Sequence, residues 1–274
     1  PDHAPSCSAR GRIGLLQGRR EDARAEFGQA IALDPGLAEA HAHLADLETD
    51  PDRRRERFRA ALALDAKPGT PWGDEVAAGN AALADLESGI MNDDRRERLS
   101  IPAVRSYQTA LLHHDRCTAA LTGLARTAVA CIEPNRAAGF LDQALAANPF
   151  DPDPPLLRAC LRRDYAKLGL TAEAEADFRR SQELAPDRAD VWFHSGLYHE
   201  RRDDRETAAA EYRKALSLDP KFGPALCRLS DLAMAAEREE EAVRLYREWR
   251  ACPGDYARAH RFRGLGEVYE ERKE

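Results

Sequence analysis

The chain has 274 residues, of which 43% are hydrophobic and 32% charged, and its formal net charge is −7, so one large domain or two ordinary ones is expected on size. Fifty of the hydrophobic residues are alanine, which leaves bulky apolar side chains at about a quarter of the chain and argues against a single deep core. No apolar run approaches the roughly 20 residues of a membrane span, the modest acidic charge offers nucleic acid no basic field, and recurring bulky residues argue against wholesale disorder.

Self-similarity organises the chain. GQAIALDPGLAEAHAHLADL (28–47) matches RKALSLDPKFGPALCRLSDL (213–232). Both read as the end of one helix, a Leu-Asp-Pro stop and a second amphipathic helix. Related stops end at Pro149 and Pro186; the next falls 34 residues on at Pro220 and another 34 on at Gly254, while Pro35 closes the first unit. In chain order the units are 4–37, 38–68, 72–117, 118–151, 155–188, 189–222 and 223–256, followed by a final amphipathic helix at 257–273. The turn TDPDRRR in the second unit is short, which predicts truncated helices at about 38–48 and 52–64. About 12 extra residues in the third unit, within 87–100, extend a helix or form a protruding loop. NPFDPDPP (148–155) forces extended backbone, and a change in superhelix direction is expected there.

A positional test supports the period. One turn before the end of each unit's second helix stands a bulky residue: Phe27, Phe58, Tyr107, Leu141, Phe178, Tyr212 and Tyr246. Three residues later come Ala30, Ala61, Ala110, Ala144, Ser181, Ala215 and, as the exception, Trp249. Four residues earlier come Ala23, Arg54, Ala103, Ala137, Ala174, Ala208 and Ala242, with Arg54 the exception. Small residues at a crossing let two helices approach to the short end of the usual 8–10 Å. Gly11, Gly79, Gly196 and Gly264 occupy the matching close-contact place on first helices, where other units have Ala45, Ala125, Arg162 and Ser230.

A 34-residue unit of two helices resembles the tetratricopeptide repeat, and Trp192 with Gly196 matches that family's W-x2-L-G start, although Ser195 replaces the Leu. Tyr165 and Tyr212 fall where the family's aromatics fall. The resemblance covers essentially the whole chain. It implies an all-α fold, a right-handed superhelical solenoid of antiparallel helix pairs A and B, forming one domain over 1–274 with 257–273 as its cap. It also implies that A helices line a concave groove.

On that register, Arg12, Asp46, Asn80, Arg126, Arg163, Leu197, Asp231 and Leu265 face the groove, with Ser8, Ala42, Val76, Thr122, Ala159, Phe193, Cys227 and Arg261 one turn earlier. Arg126 and Arg163, on adjacent repeats roughly 10 Å apart by helix packing, are placed to hold a carboxylate or phosphate beside Thr122 and Ala159. Internal pairing with acidic neighbours is the competing role for both. Phe193 and Leu197 offer an apolar anchor. The Lys and Asn set of repeats that clamp chaperone C-termini is missing here except for Asn80, which disfavours that role.

Phosphate loops, G-x-G-x-x-G, G-x-S-x-G and H-E-x-x-H are absent, so no enzyme and no cofactor is expected. His41 and His43 are two apart and point to different helix faces. His113 and His114 adjoin at a helix end, and His194 and His199 are five apart. No third ligand is evident for any of them, and no metal site is expected. The cysteines, Cys7, Cys117, Cys131, Cys160, Cys227 and Cys252, form no close pair, which favours reduced thiols in a cytoplasm. Arg far outnumbers Lys, which reads as the coding bias of a GC-rich bacterial genome. The leading expectation is a non-enzymatic scaffold binding a protein or peptide in the groove. The alternative is a regulatory or substrate-recognition module of an enzyme system (a transferase, hydroxylase or kinase), which the Pro1 start leaves open; self-association is a further possibility.

Overall fold

The computed structural model describes residues 3–87, 93–165 and 172–252, which contain 14 α-helices and no strand. They are α1 (Ala4–Leu16), α2 (Arg20–Leu33), α3 (Ala38–Leu47), α4 (Pro51–Asp65), α5 (Pro71–Glu87), α6 (Asp93–His113), α7 (Thr118–Ala130), α8 (Pro134–Ala147), α9 (Asp153–Asp164), α10 (Ala172–Leu184), α11 (Ala189–Arg201), α12 (Arg205–Leu218), α13 (Gly223–Ala235) and α14 (Glu239–Arg250). The expected cap at 257–273, with Arg261, Gly264 and Leu265, lies outside the described residues. Two compact units divide the chain, Pro1–Leu161 and Arg162–Glu274, and the boundary falls within α9. In the first unit α1/α2, α3/α4, α5/α6 and α7/α8 pack as hairpins; in the second α11/α12 and α13/α14 do so, and α10 packs on α11.

In every repeat but the α13/α14 hairpin, the bulky residue of the second helix is buried in the interior. Phe27, Phe58, Tyr107, Leu141, Phe178 and Tyr212 are all at most 1% exposed, and Ala23, Ala103, Ala137, Ala174, Ala208 and Ala242 are fully buried. Burying one such side chain contributes about 2–3 kcal/mol. The first helix makes room with glycine: a Cβ on Gly11 would lie 2.8 Å from the Phe27 ring, on Gly79 2.6 Å from Tyr107, and on Gly196 2.5 Å from Tyr212. In the α13/α14 hairpin Trp249 is buried where other repeats have a small residue, and Tyr246 is only half-buried. Gly223 faces that indole, and a Cβ there would make ordinary van der Waals contact with it at 3.5 Å.

The stops have a local cause. Asp34, Asn148 and Asp219 end α2, α8 and α12 by accepting a hydrogen bond from the backbone N–H two residues on, at 2.8, 2.9 and 3.0 Å. The side chain thus replaces the helical partner. The turns of the α1/α2, α7/α8, α11/α12 and α13/α14 hairpins close through one residue in the left-handed region: Gly18 (φ 74), Ile132 (φ 62), Asp203 (φ 61) and Glu237 (φ 58). Each precedes an N–H that bonds back five residues, as from Glu133 to the Ala128 carbonyl.

Three irregularities position the site. Of the second repeat's helices only α3 is short, at 10 residues; α4 runs for 15, because Asp50 caps it by accepting from Arg53 N–H at 2.8 Å and Pro51 suits its first turn. The third repeat's insertion lengthens its helices. While α2, α4, α8 and α12 begin seven residues before their bulky residue, α6 begins 14 before Tyr107. The two extra turns wall an open cleft of about 790 Å³ lined by Ile101, Val104, Leu124, Ile132 and Phe140. Finally, Pro154 and Pro155 sit in the first turn of α9, where a missing N–H leaves no helical bond unmade.

Within the first unit, the α3/α4 hairpin is joined to later repeats chiefly through α7 and two turns. The Asp65 carboxylate, 3% exposed at the end of α4, accepts from His114 Nε2 at 2.9 Å and from the Thr118 N–H and hydroxyl, both at 2.7 Å. It caps α7 from 53 positions away. Asn148 donates to the Phe58 carbonyl at 3.0 Å, and Phe150 packs its ring 5.7 Å from that of Phe58.

Candidate functional site on the A-helix face

In the first unit, the A-helix positions of the first two repeats are engaged by the turn between α6 and α7. Arg12 pairs with Asp115 at 3.1 Å and with Glu39 at 3.0 Å, and Asp46 pairs with Arg116. The row continues on α5 and α7, which pack together. Asn80 is exposed and accepts from the Tyr107 hydroxyl at 2.8 Å; burial pushes that phenol up to about 12. On α7, Arg126 is exposed and donates to both oxygens of exposed Glu87 at 2.7 and 3.0 Å. Thr122, half-buried one turn before it, bonds back to the Thr118 carbonyl at 2.9 Å.

In the second unit, Arg163 is 8% exposed. Its Nε and Nη2 donate to the two Asp164 oxygens, each at 2.9 Å, and Nη1 donates to His194 Nδ1 at 3.2 Å. Burial, reinforced by the Arg163 charge, lowers His194 to about 4, so the ring is a neutral acceptor near pH 7. Phe193 is half-buried, with ring centroids 5.6 Å from Tyr212 and 5.4 Å from Phe222. Asp231 accepts from Arg228 at 3.2 Å; burial, with the Glu200 charge adding to it, pushes its carboxyl up to about 6 against the opposing pull of Arg228. Arg228 and the Tyr212 hydroxyl both donate to Glu200, at 3.1 and 2.6 Å.

Residues 189–222 match the tetratricopeptide repeat model, over the same 34 residues that spacing assigns to one unit. Those residues form a tetratricopeptide repeat within an all-α repeat fold. No curated protein sequence matches the chain. Among solved structures, its fold is similar to that of yeast Tom70 (TM-score 0.60, 17% identity, 98% of this chain and 54% of that one). It is also similar to a tetratricopeptide repeat protein from Parabacteroides merdae ATCC 43184 (TM-score 0.52, 13% identity, 99% of each chain). At these identities the likeness is one of fold.

Of the expected groove positions, Asn80 lies on α5 and Thr122 and Arg126 on α7 in the first unit, while Arg163, Phe193 and Asp231 belong to the second unit. Ser8, Ala42, Val76, Ala159 and Cys227, expected to face the groove, are buried. One grouping is visible in the sequence only once Glu39 is set beside His43. The two stand four apart on α3, and with Asp115 they bring ligand atoms within 4.8 Å of one another. Comparing His43 with His41 alone passes over that spacing, and no periodicity points to Asp115, 72 positions on. His41 instead meets the Pro35 carbonyl at 3.0 Å. None of the six cysteines is in a disulfide, and Cys7, Cys117 and Cys227 are buried. Among the described residues no helix is long and apolar enough to cross a membrane.

Proposed function

We propose that this chain is a non-enzymatic scaffold that binds a partner protein or peptide on its A-helix face. One observation carries the reading. The B-helix residues that close the hairpins are spent on the interior, whereas the A helices α5 and α7, which pack together, leave Asn80 and Arg126 exposed, with Thr122 half-buried one turn before Arg126. Arg126 and Glu87 are both more than 40% exposed, so their pair is worth about 0–1 kcal/mol. Exchanging Glu87 for a carboxylate or phosphate of the partner costs little, and the planar guanidinium holds such groups in bidentate fashion. Arg163 supports the second unit's part of the surface from within, through Asp164 and His194. Phe193 receives an apolar side chain and Asp231 a basic one. A preformed surface needs little ordering on binding, which favours affinity. Cysteines without a disulfide fit a reducing cytoplasm.

Quantitative pull-down with the Arg126→Glu and Asn80→Ala double variant tests the reading. Partner recovery falls about ten-fold, equivalent to 1.4 kcal/mol; unchanged recovery with the fold intact removes α5 and α7 from the binding surface.

A further inference from the structure

We infer that Glu39, His43 and Asp115 form a divalent-cation site on the A-helix face of the first two repeats. Glu39 and His43, one turn apart on α3, share a helix face, and the turn between α6 and α7 brings Asp115 opposite them. His43 Nε2 lies 3.9 Å from Glu39 Oε1 and 3.8 Å from Asp115 Oδ1. These separations are too long for hydrogen bonds. Two ligands at about 2.0–2.2 Å from one ion stand about 3.0–3.5 Å apart, so a small inward shift of the exposed Asp115 turn and the Glu39 side chain seats it. The nitrogen is buried and makes no hydrogen bond, while Phe27 stacks on the ring at 5.1 Å and 15° and fixes the direction of its lone pair.

The two carboxylates already share a cation. Arg12 reaches Glu39 with one terminal nitrogen at 3.0 Å and Asp115 with the other at 3.1 Å. Its side chain is 47% exposed, so it can turn into solvent when an ion enters, leaving two negative charges and a neutral imidazole around a doubly charged ion. One nitrogen and two carboxylate oxygens suit zinc, cobalt or manganese ions. Further coordination positions go to water or to a carboxylate of a bound partner. The ion ties α3 to the turn before α7 and adds stability by mass action. The inference is independent of the scaffold reading, since it needs no protein partner.

The test is titration of the full chain with cobalt(II) and zinc(II), followed by calorimetry and by visible absorption. One ion binds per chain. His43→Ala and Asp115→Asn each weaken binding about ten-fold or more, and Arg12→Ala strengthens it by removing the competing cation. Asp115 sits on an exposed turn, so its variant reports on the site even where His43→Ala loosens the fold, which circular dichroism checks. Binding that both substitutions leave unchanged overturns the site. So do weaker binding in Arg12→Ala, thiolate charge-transfer bands that place cobalt on cysteines, or no binding below about 1 mM.

Discussion

Tyr107 is gripped by two glycines, and only one of them is legible in the sequence. Gly79 sits in the close-contact place within its own hairpin. Gly123 of α7 approaches the same ring from the next repeat, where a Cβ would lie 2.3 Å from it, and an alignment of hairpins onto one another does not mark contacts between repeats. Gly123→Ala is therefore expected to destabilise by about 1–3 kcal/mol through overpacking. Gly28→Ala and Gly139→Ala, with nothing within 4 Å of the added carbon, stabilise by about 0.5–1 kcal/mol; urea denaturation of the three variants reads the contrast. Ile132 makes a second residue-scale case. It holds φ 62 in the hairpin turn where the first repeat has Gly18 at φ 74, and its side chain is exposed. A β-branched residue is strained there, so Ile132→Gly raises stability by about 1 kcal/mol in the same assay. A loss on that substitution would mean that the cleft contacts of Ile132 outweigh the strain.

Helix ends were legible wherever the cause is local. The Leu-Asp-Pro and Asn-Pro stops predict the ends of α2, α8 and α12 because the Asp or Asn side chain supplies the turn itself. The junction of α4, α7 and α9 was not legible, because it depends on residues 49 to 90 positions apart, such as Asp65 with His114 and Phe58 with Asn148. Asp151 belongs to that junction. It is 3% exposed and accepts from the Asp153 N–H at 2.9 Å at the start of α9, yet burial, with the nearby Asp153 and Asp65 charges, pushes its carboxyl up to about 6. The folded chain thus holds this proton to higher pH than the unfolded chain, whose ordinary value is 3.8. Its stability cost is absent below about pH 4, grows as pH rises towards 6 and is constant above that. Two pKa units correspond to about 3 kcal/mol at most. Asp151→Asn keeps the acceptor and loses the charge. It should exceed the parent chain in stability by about 1–3 kcal/mol at pH 7.5 and match it near pH 4. A difference independent of pH would show that the carboxylate is not the source of the cost.

Across the molecule, the alanine-rich composition that argues against a deep core corresponds to a series of thin helix crossings, each with buried alanine beside one bulky residue. That correspondence makes the repeat fold readable in the sequence. The surface is less so, since a register assigns every A helix the same face, whereas the chain ties Arg12 and Asp46 to its own turn residues Asp115 and Arg116, and Arg126 to Glu87 at the end of the neighbouring A helix. The scaffold account concentrates recognition in the first unit on α5 and α7. Its most direct test is the affinity of a recovered partner for the parent chain, for Arg126→Glu with Asn80→Ala, and for Gly28→Ala as a fold-preserving control. The account predicts binding about ten-fold weaker in the double variant, with weaker salt dependence, and unchanged binding in the control. Equal affinity for all three chains would contradict it.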